Sequence, residues 1–206
     1  MAQTDLSSLA LILAAAARGT TRLSGGKGDG ARQLATALTA LGARLDDDGQ
    51  GCWTVRGTGT GGWREPGRVL ELGLVPGAAA LLAGMLATLP FPCVLAADSG
   101  QAPLSLAALR APLERVGARL VLGRGDQLPG SITGAAWPLP AHHAGLDGAA
   151  ALPILLAGLN SPGRTGVDAL PELEPALTLL RRFGAGVETA DGVTWVTGYP
   201  DLTGTD

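Results

Sequence analysis

The chain has 206 residues, enough to bury a core, and its 46% hydrophobic content excludes a disordered segment. A net charge of −3, with no run of Lys or Arg, excludes a basic footprint for nucleic acid or for a membrane surface. Aromatic residues are only 3% and glycines number 32, so the core has to be packed from Ala, Leu and Val between many turns.

The first element is an apolar run, residues 9–17, LALILAAAA. It reads as a helix without a polar face, which cannot lie at a surface. It imitates the apolar part of a signal peptide, but Asp5 and the lack of any preceding Lys or Arg contradict that reading. No stretch reaches the length of a transmembrane helix, so the expected setting is the cytoplasm. A strand over 21–23 follows. The Gly-rich run SGGKGDG, 24–30, lacks the residue order of a phosphate loop and reads as a connection into a helix at Ala31. That amphipathic helix ends at Gly42, and two strands joined by a turn continue to Gly57. Asp46, Asp47, Asp48 and Gly49 fit a hairpin turn, because the spacing of a calcium loop and its terminal Glu are missing.

The stretch from Arg64 to Ala87 organises the middle of the chain. It reads as a strand (69–72), a Gly/Pro break (73–77) and a second all-apolar helix (78–87). A strand over 93–96 and an amphipathic helix ending at Gly117 lead to two further strands and Gly134. His142 and His143 then precede a third all-apolar helix, 150–159. A solvated loop is the expectation for this pair, since a metal site needs three or four convergent ligands and only Asp147 stands nearby. A strand over 164–167, an amphipathic helix ending at Gly184 and two strands reaching Gly198 complete the pattern. Arg181 and Arg182 in the last turn of that helix complement its dipole. Cys52 and Cys93 have no metal spacing and read as buried free thiols.

The same block therefore occurs three times, over residues 1–57, 68–134 and 137–198. Its capping glycines, Gly42, Gly117 and Gly184, are spaced far wider than any solenoid period. Each block is a βαβαββ unit, the first with its leading strand missing or reduced to residues 1–4. The expected fold is α/β, of the α+β kind. It is one domain, residues 1–206, with three units in pseudo-threefold packing around three buried helices. Ala and Gly on those helices would allow close approach of their axes.

These residues resemble the EPSP synthase family, the 3-phosphoshikimate 1-carboxyvinyltransferases. SSLALILAAAARGTTRL (7–23) is similar to the family's S-H-R-A-L-I-L-A-A-L-A-x-G-T-S, and the run from Arg56 to Ala87 is similar to its second unit. Gly28, Asp29, Gly30, Ala31 and Arg32 stand where the family has S-D-D-T-R, and PFPCVLAAD and LRRFGA also match. The resemblance implies one lobe of a two-lobed enzyme whose active site lies between the lobes. The family reaction moves an enolpyruvyl group from phosphoenolpyruvate to shikimate 3-phosphate, in aromatic amino acid biosynthesis. No cofactor or metal is implied.

Position by position, the family's anion-binding groups are replaced. The lysine and arginine that open the first buried helix become Thr4 and Leu9, and a carboxylate appears at Asp5. Ser7 remains. The arginine of the second helix start becomes Ala80, in a run turned apolar from Leu74. Of G-D-x-S-L-R-x-R-P-M only Asp98 is kept, and S-A-Q or S-S-Q becomes Asp147, Gly148 and Ala149. An Asp at a helix start caps it but repels phosphate. The expectation is a catalytically degenerate lobe with no catalytic residue, acting as an interaction module. It would meet a protein partner, or a second copy, through the former interlobe face around Leu74, Val75, Pro76 and Ala79. A split enzyme completed by another polypeptide is the alternative. A binder of a different small molecule, its face lined by Asp5, Asp98, Asp147 and His142 or His143, is the third reading, and Ser7 is a further substrate-binding candidate beside Asp98, Asp147, His142 and His143.

Overall fold

The computed structural model describes residues 6–97 and 104–204. Its first unit runs α1 (Leu6–Ala16), β1 (Thr20–Ser24), α2 (Asp29–Ala40), β2 (Arg44–Asp47) and β3 (Cys52–Arg56). The second runs β4 (Leu70–Glu71), α3 (Pro76–Leu86), β5 (Pro92–Ala96), α4 (Ala107–Val116), β6 (Arg119–Leu122) and β7 (Gly130–Thr133). The third runs β8 (His142–His143), α5 (Gly148–Gly158), β9 (Arg164–Asp168), α6 (Glu174–Arg182), β10 (Val187–Ala190) and β11 (Val193–Thr197).

The sheets share one plan. The second is ordered β4-β5-β7-β6 and the third β8-β9-β11-β10, each with a parallel first pair and antiparallel remaining pairs. The first, β1-β3-β2, matches them without the leading strand among the described residues; residues 1–4, expected to supply it, lie outside them.

Three glycines close the amphipathic helices in the same way. Gly42, Gly117 and Gly184 have φ of 115°, 108° and 92°, a left-handed region that strains any other residue. The following N–H groups of Ala43, Ala118 and Ala185 donate back to Leu38, Leu113 and Leu180. A polar outer face and an apolar inner face then fix how α2, α4 and α6 lie over the core.

The interior helices have no outer face to offer. From Ala150 to Gly158 every residue of α5 is buried, and α1 buries eight residues including Ser8. Helix α3 packs against both α1 and α5. It meets α5 so closely at Gly84 that a Cβ there would collide with the Pro153 carbonyl. All three helices begin two or more residues earlier than the apolar runs suggest, because a turn can start on polar or Gly residues before the burial begins.

Two readings from the sequence are corrected. Cys52 is exposed, at the start of β3, and only Cys93 is buried. His142 and His143 form the short strand β8, not a solvated loop, because they pair in parallel with Gly166 and Val167. The Asp-rich run is a hairpin turn: Asp47 accepts from the Gly49 N–H and Asp48 from those of Gln50 and Cys52.

Candidate anion pole of the lobe

The carboxyl ends of the buried helices are gathered at one pole. Asn160, after α5, donates through Nδ2 to the Thr88 carbonyl after α3, at 2.8 Å. Trp63 donates through Nε1 to Ala15 of α1, at 3.2 Å, and in the same loop Gly61 lies against Asn160, whose Oδ1 a Cβ there would meet at 2.9 Å. The three helix starts therefore share the opposite pole, where N–H groups and dipoles would favour an anion.

That pole carries little to hold one. Helix α1 opens Leu6, Ser7, Ser8, Leu9, and Leu9 is wholly buried. Helix α3 follows Val75, which offers no side-chain cap. At α5 the carboxylate of Asp147 accepts from the Ala150 N–H at 3.0 Å, so a negative charge already occupies the dipole. Leu6 and Leu74 are 39% and 43% exposed at this pole, where an anion site would need polar groups. Three cations of the amphipathic helices are held within their own units: Arg32 by Asp29 and Asp47, Arg110 by Asp126 and Glu114, Arg181 by Glu174.

The structure describes four of the five candidate residues. Asp98, like Asp5, lies outside the described residues. Ser7 is exposed on the first turn of α1, and Asp147 is engaged as a cap. His142 points outward, with Nε2 3.0 Å from Asp168 Oδ1, and its ring lies 5.8 Å from that of Trp195. Asp168 also accepts from the Gly145 N–H at 2.7 Å, and this bond, aided by His142, holds its carboxyl below the usual range. His143 turns the other way, into the core, 2% exposed and with Nε2 unpaired. Burial, with Arg115 and His142 adding to it, lowers its pKa. Among the described residues no three His, Cys, Asp or Glu side chains are grouped to hold a metal ion. No helix there is long and apolar enough to cross a membrane.

Asp168 went unrecognised in the sequence as the partner of His142. The period-two alternation of a strand would have separated His142 from His143, but a two-residue strand is too short to show it.

Comparison with known proteins agrees with the resemblance. The family described as EPSP synthase (3-phosphoshikimate 1-carboxyvinyltransferase) matches residues 2–206. A 3-phosphoshikimate 1-carboxyvinyltransferase of Paramagnetospirillum magneticum is 37% identical over 97% of this chain and 47% of its own length. One from Parvibaculum lavamentivorans is 36% identical over 96% and 46%. The chain thus spans about half the length of these curated relatives. An EPSP synthase structure from Acinetobacter baumannii superposes with a TM-score of 0.84 at 27% identity, over 97% of this chain and 46% of that one. The enolpyruvyl transferase NikO from Streptomyces tendae, at 20% identity and a TM-score of 0.69, shares the fold.

Proposed function

The chain belongs to the EPSP synthase family, of which it spans one lobe, and from that premise we propose that this lobe does not hold the family's phosphorylated substrates and serves instead as a docking unit. The observation that carries the reading is the state of the three helix starts. One dipole is occupied by Asp147, another follows the uncapped Val75, and no Lys or Arg stands in the first turn of any of them. A charge-assisted phosphate contact contributes on the order of 1.5–3 kcal/mol, so a site without such contacts cannot hold a polyanion tightly.

Leu6 and Leu74 support the docking half of the proposal, as apolar groups exposed at the pole where the family's lobes face one another. The partner surface is an EPSP-synthase-like lobe, in the same polypeptide, another one or a second copy. Calorimetry with shikimate 3-phosphate and phosphoenolpyruvate tests the first half: binding of either no tighter than about 1 mM is expected, and submillimolar binding of one that the other strengthens, as substrates sharing a single site would, would overturn it. Light scattering after size exclusion tests the second. Association that the double variant Leu6→Asp, Leu74→Asp abolishes is expected; a strict monomer at all concentrations, capturing no lobe, would refute it.

The half-length match favours a second reading, in which this lobe is the scaffold half of a split transferase. Its cations would then all come from the other lobe. Reconstituted turnover of phosphoenolpyruvate and shikimate 3-phosphate would establish that reading in place of the first.

A further inference from the structure

A valley of about 790 Å³ runs along the solvent side of α2, from Arg32 to Ala40. Its opposite wall is the chain crossing from the first unit to the second, which brings Arg64, Glu65 and Arg68 over it. Leu45 and Trp53 form an apolar floor. Three guanidiniums thus face two carboxylates, Asp47 and Glu65, in a chain whose net charge is −3.

The ion pairs use up only one of those guanidiniums. Arg32 lies 3.4 Å from Asp47 and 3.4 Å from Asp29. Arg64 and Arg68 make no ion pair with any carboxylate among the described residues, in contrast to Arg164, which Glu188 neutralises at 2.7 Å on the third sheet. The stem of Arg64 is positioned rather than loose. Its backbone N–H donates to the Leu41 carbonyl at 2.9 Å, and a Cβ at Gly42 would stand 3.4 Å from its Cγ. The capping glycine therefore also opens the space in which this side chain lies. A second hollow of about 250 Å³ shares Arg32, Asp47 and Trp53 with the valley and adds Lys27.

We propose that this valley binds the phosphate group of a small phosphorylated molecule. Arg64 and Arg68 take the oxygens in forked hydrogen bonds. Arg32, fixed by Asp47, closes the far side, and Leu45 and Trp53 accept the apolar part of the ligand.

The test is the thermal unfolding midpoint of the whole chain titrated with inorganic phosphate against sodium chloride at matched ionic strength. The expected result is a phosphate-specific rise with an apparent Kd on the order of 1 mM. The double variant Arg64→Gln, Arg68→Gln should weaken it at least about tenfold, since each charged contact contributes about that factor. Both side chains are exposed, so the variant's midpoint in chloride alone verifies that it folds. A second variant, Arg22→Gln with Arg56→Gln, removes cations from the outer face of the first sheet and should bind phosphate as the parent does. The proposal is overturned if phosphate and chloride act alike up to about 20 mM, if the Arg64/Arg68 variant binds unchanged, or if the Arg22/Arg56 variant loses the effect.

Discussion

His143 sits in the third unit at the inward position that Leu70 fills in the second: each pairs in parallel with the inward residue of the next strand, Val167 or Leu95. One position is served by a hydrocarbon and the other by a buried imidazole with an unpaired nitrogen. Burial holds that imidazole below its ordinary pKa, so the folded chain refuses a proton that the unfolded chain accepts. Stability should therefore fall as pH drops below about 6.5, and level off once the folded value is passed. Asp168 works in a lower window: its depressed value gives stability that is present above the ordinary carboxylate range and lost as pH falls through the folded value. Urea midpoints at pH 7.5 and 5.5 separate the two. His143→Leu should flatten the difference between these pH values; equal slopes in parent and variant would contradict the assignment. At the other extreme of reactivity, burial and then the charge of Glu65 push the Cys93 thiol up to about 12, so it should stay unmodified by a thiol reagent that labels the exposed Cys52 in the folded chain.

Each unit ends its last strand on a glycine that touches the end of its own interior helix. A Cβ at Gly57, Gly134 or Gly198 would collide with the carbonyl of Ala17, Leu89 or Ser161. The next N–H then donates to Ala15, Ala87 or Leu159, each two residues before the carbonyl just named. Three identical knots, rather than similar sequences, make the threefold plan. Gly57→Ala or Gly134→Ala should therefore lower unfolding free energy by about 3 kcal/mol or more. Gly67→Ala, with nothing within 4 Å of the new Cβ, should be nearly neutral. Denaturant titration of the three compares them directly, and comparable losses would sink the claim. At the start of α5, Asp147→Ala should remove about 1 kcal/mol, the usual effect of losing an N-cap. If phosphate bound the variant's helix start tightly, the carboxylate would be the whole obstacle; the absence of cations argues that it is not.

Over the whole molecule the units are bound by their interior helices and by a last segment that reaches back to the first. The Arg18 N–H donates to Leu202, and Gly204 donates to Arg18, at 2.7 and 2.8 Å. Thr60 reaches Pro200 through its hydroxyl at 2.9 Å. Deleting residues 200–204 should expose the end of α1 and speed amide exchange there before it does so in α5. The repeat, the capping glycines and the interior helices were legible in the sequence, because periodicity, left-handed φ and an absent polar face are local properties of a chain. So was the loss of cations from the helix starts, since a residue type is either present or not. What only the tertiary structure decided was direction and company. It turned His142 out to Asp168 and His143 into the core, made Asp147 a cap, and brought Arg64 and Arg68 across α2 with no ion pair to a carboxylate among the described residues. Such facts depend on which distant segments share a surface, and the burial that sets them is a sum over the whole fold.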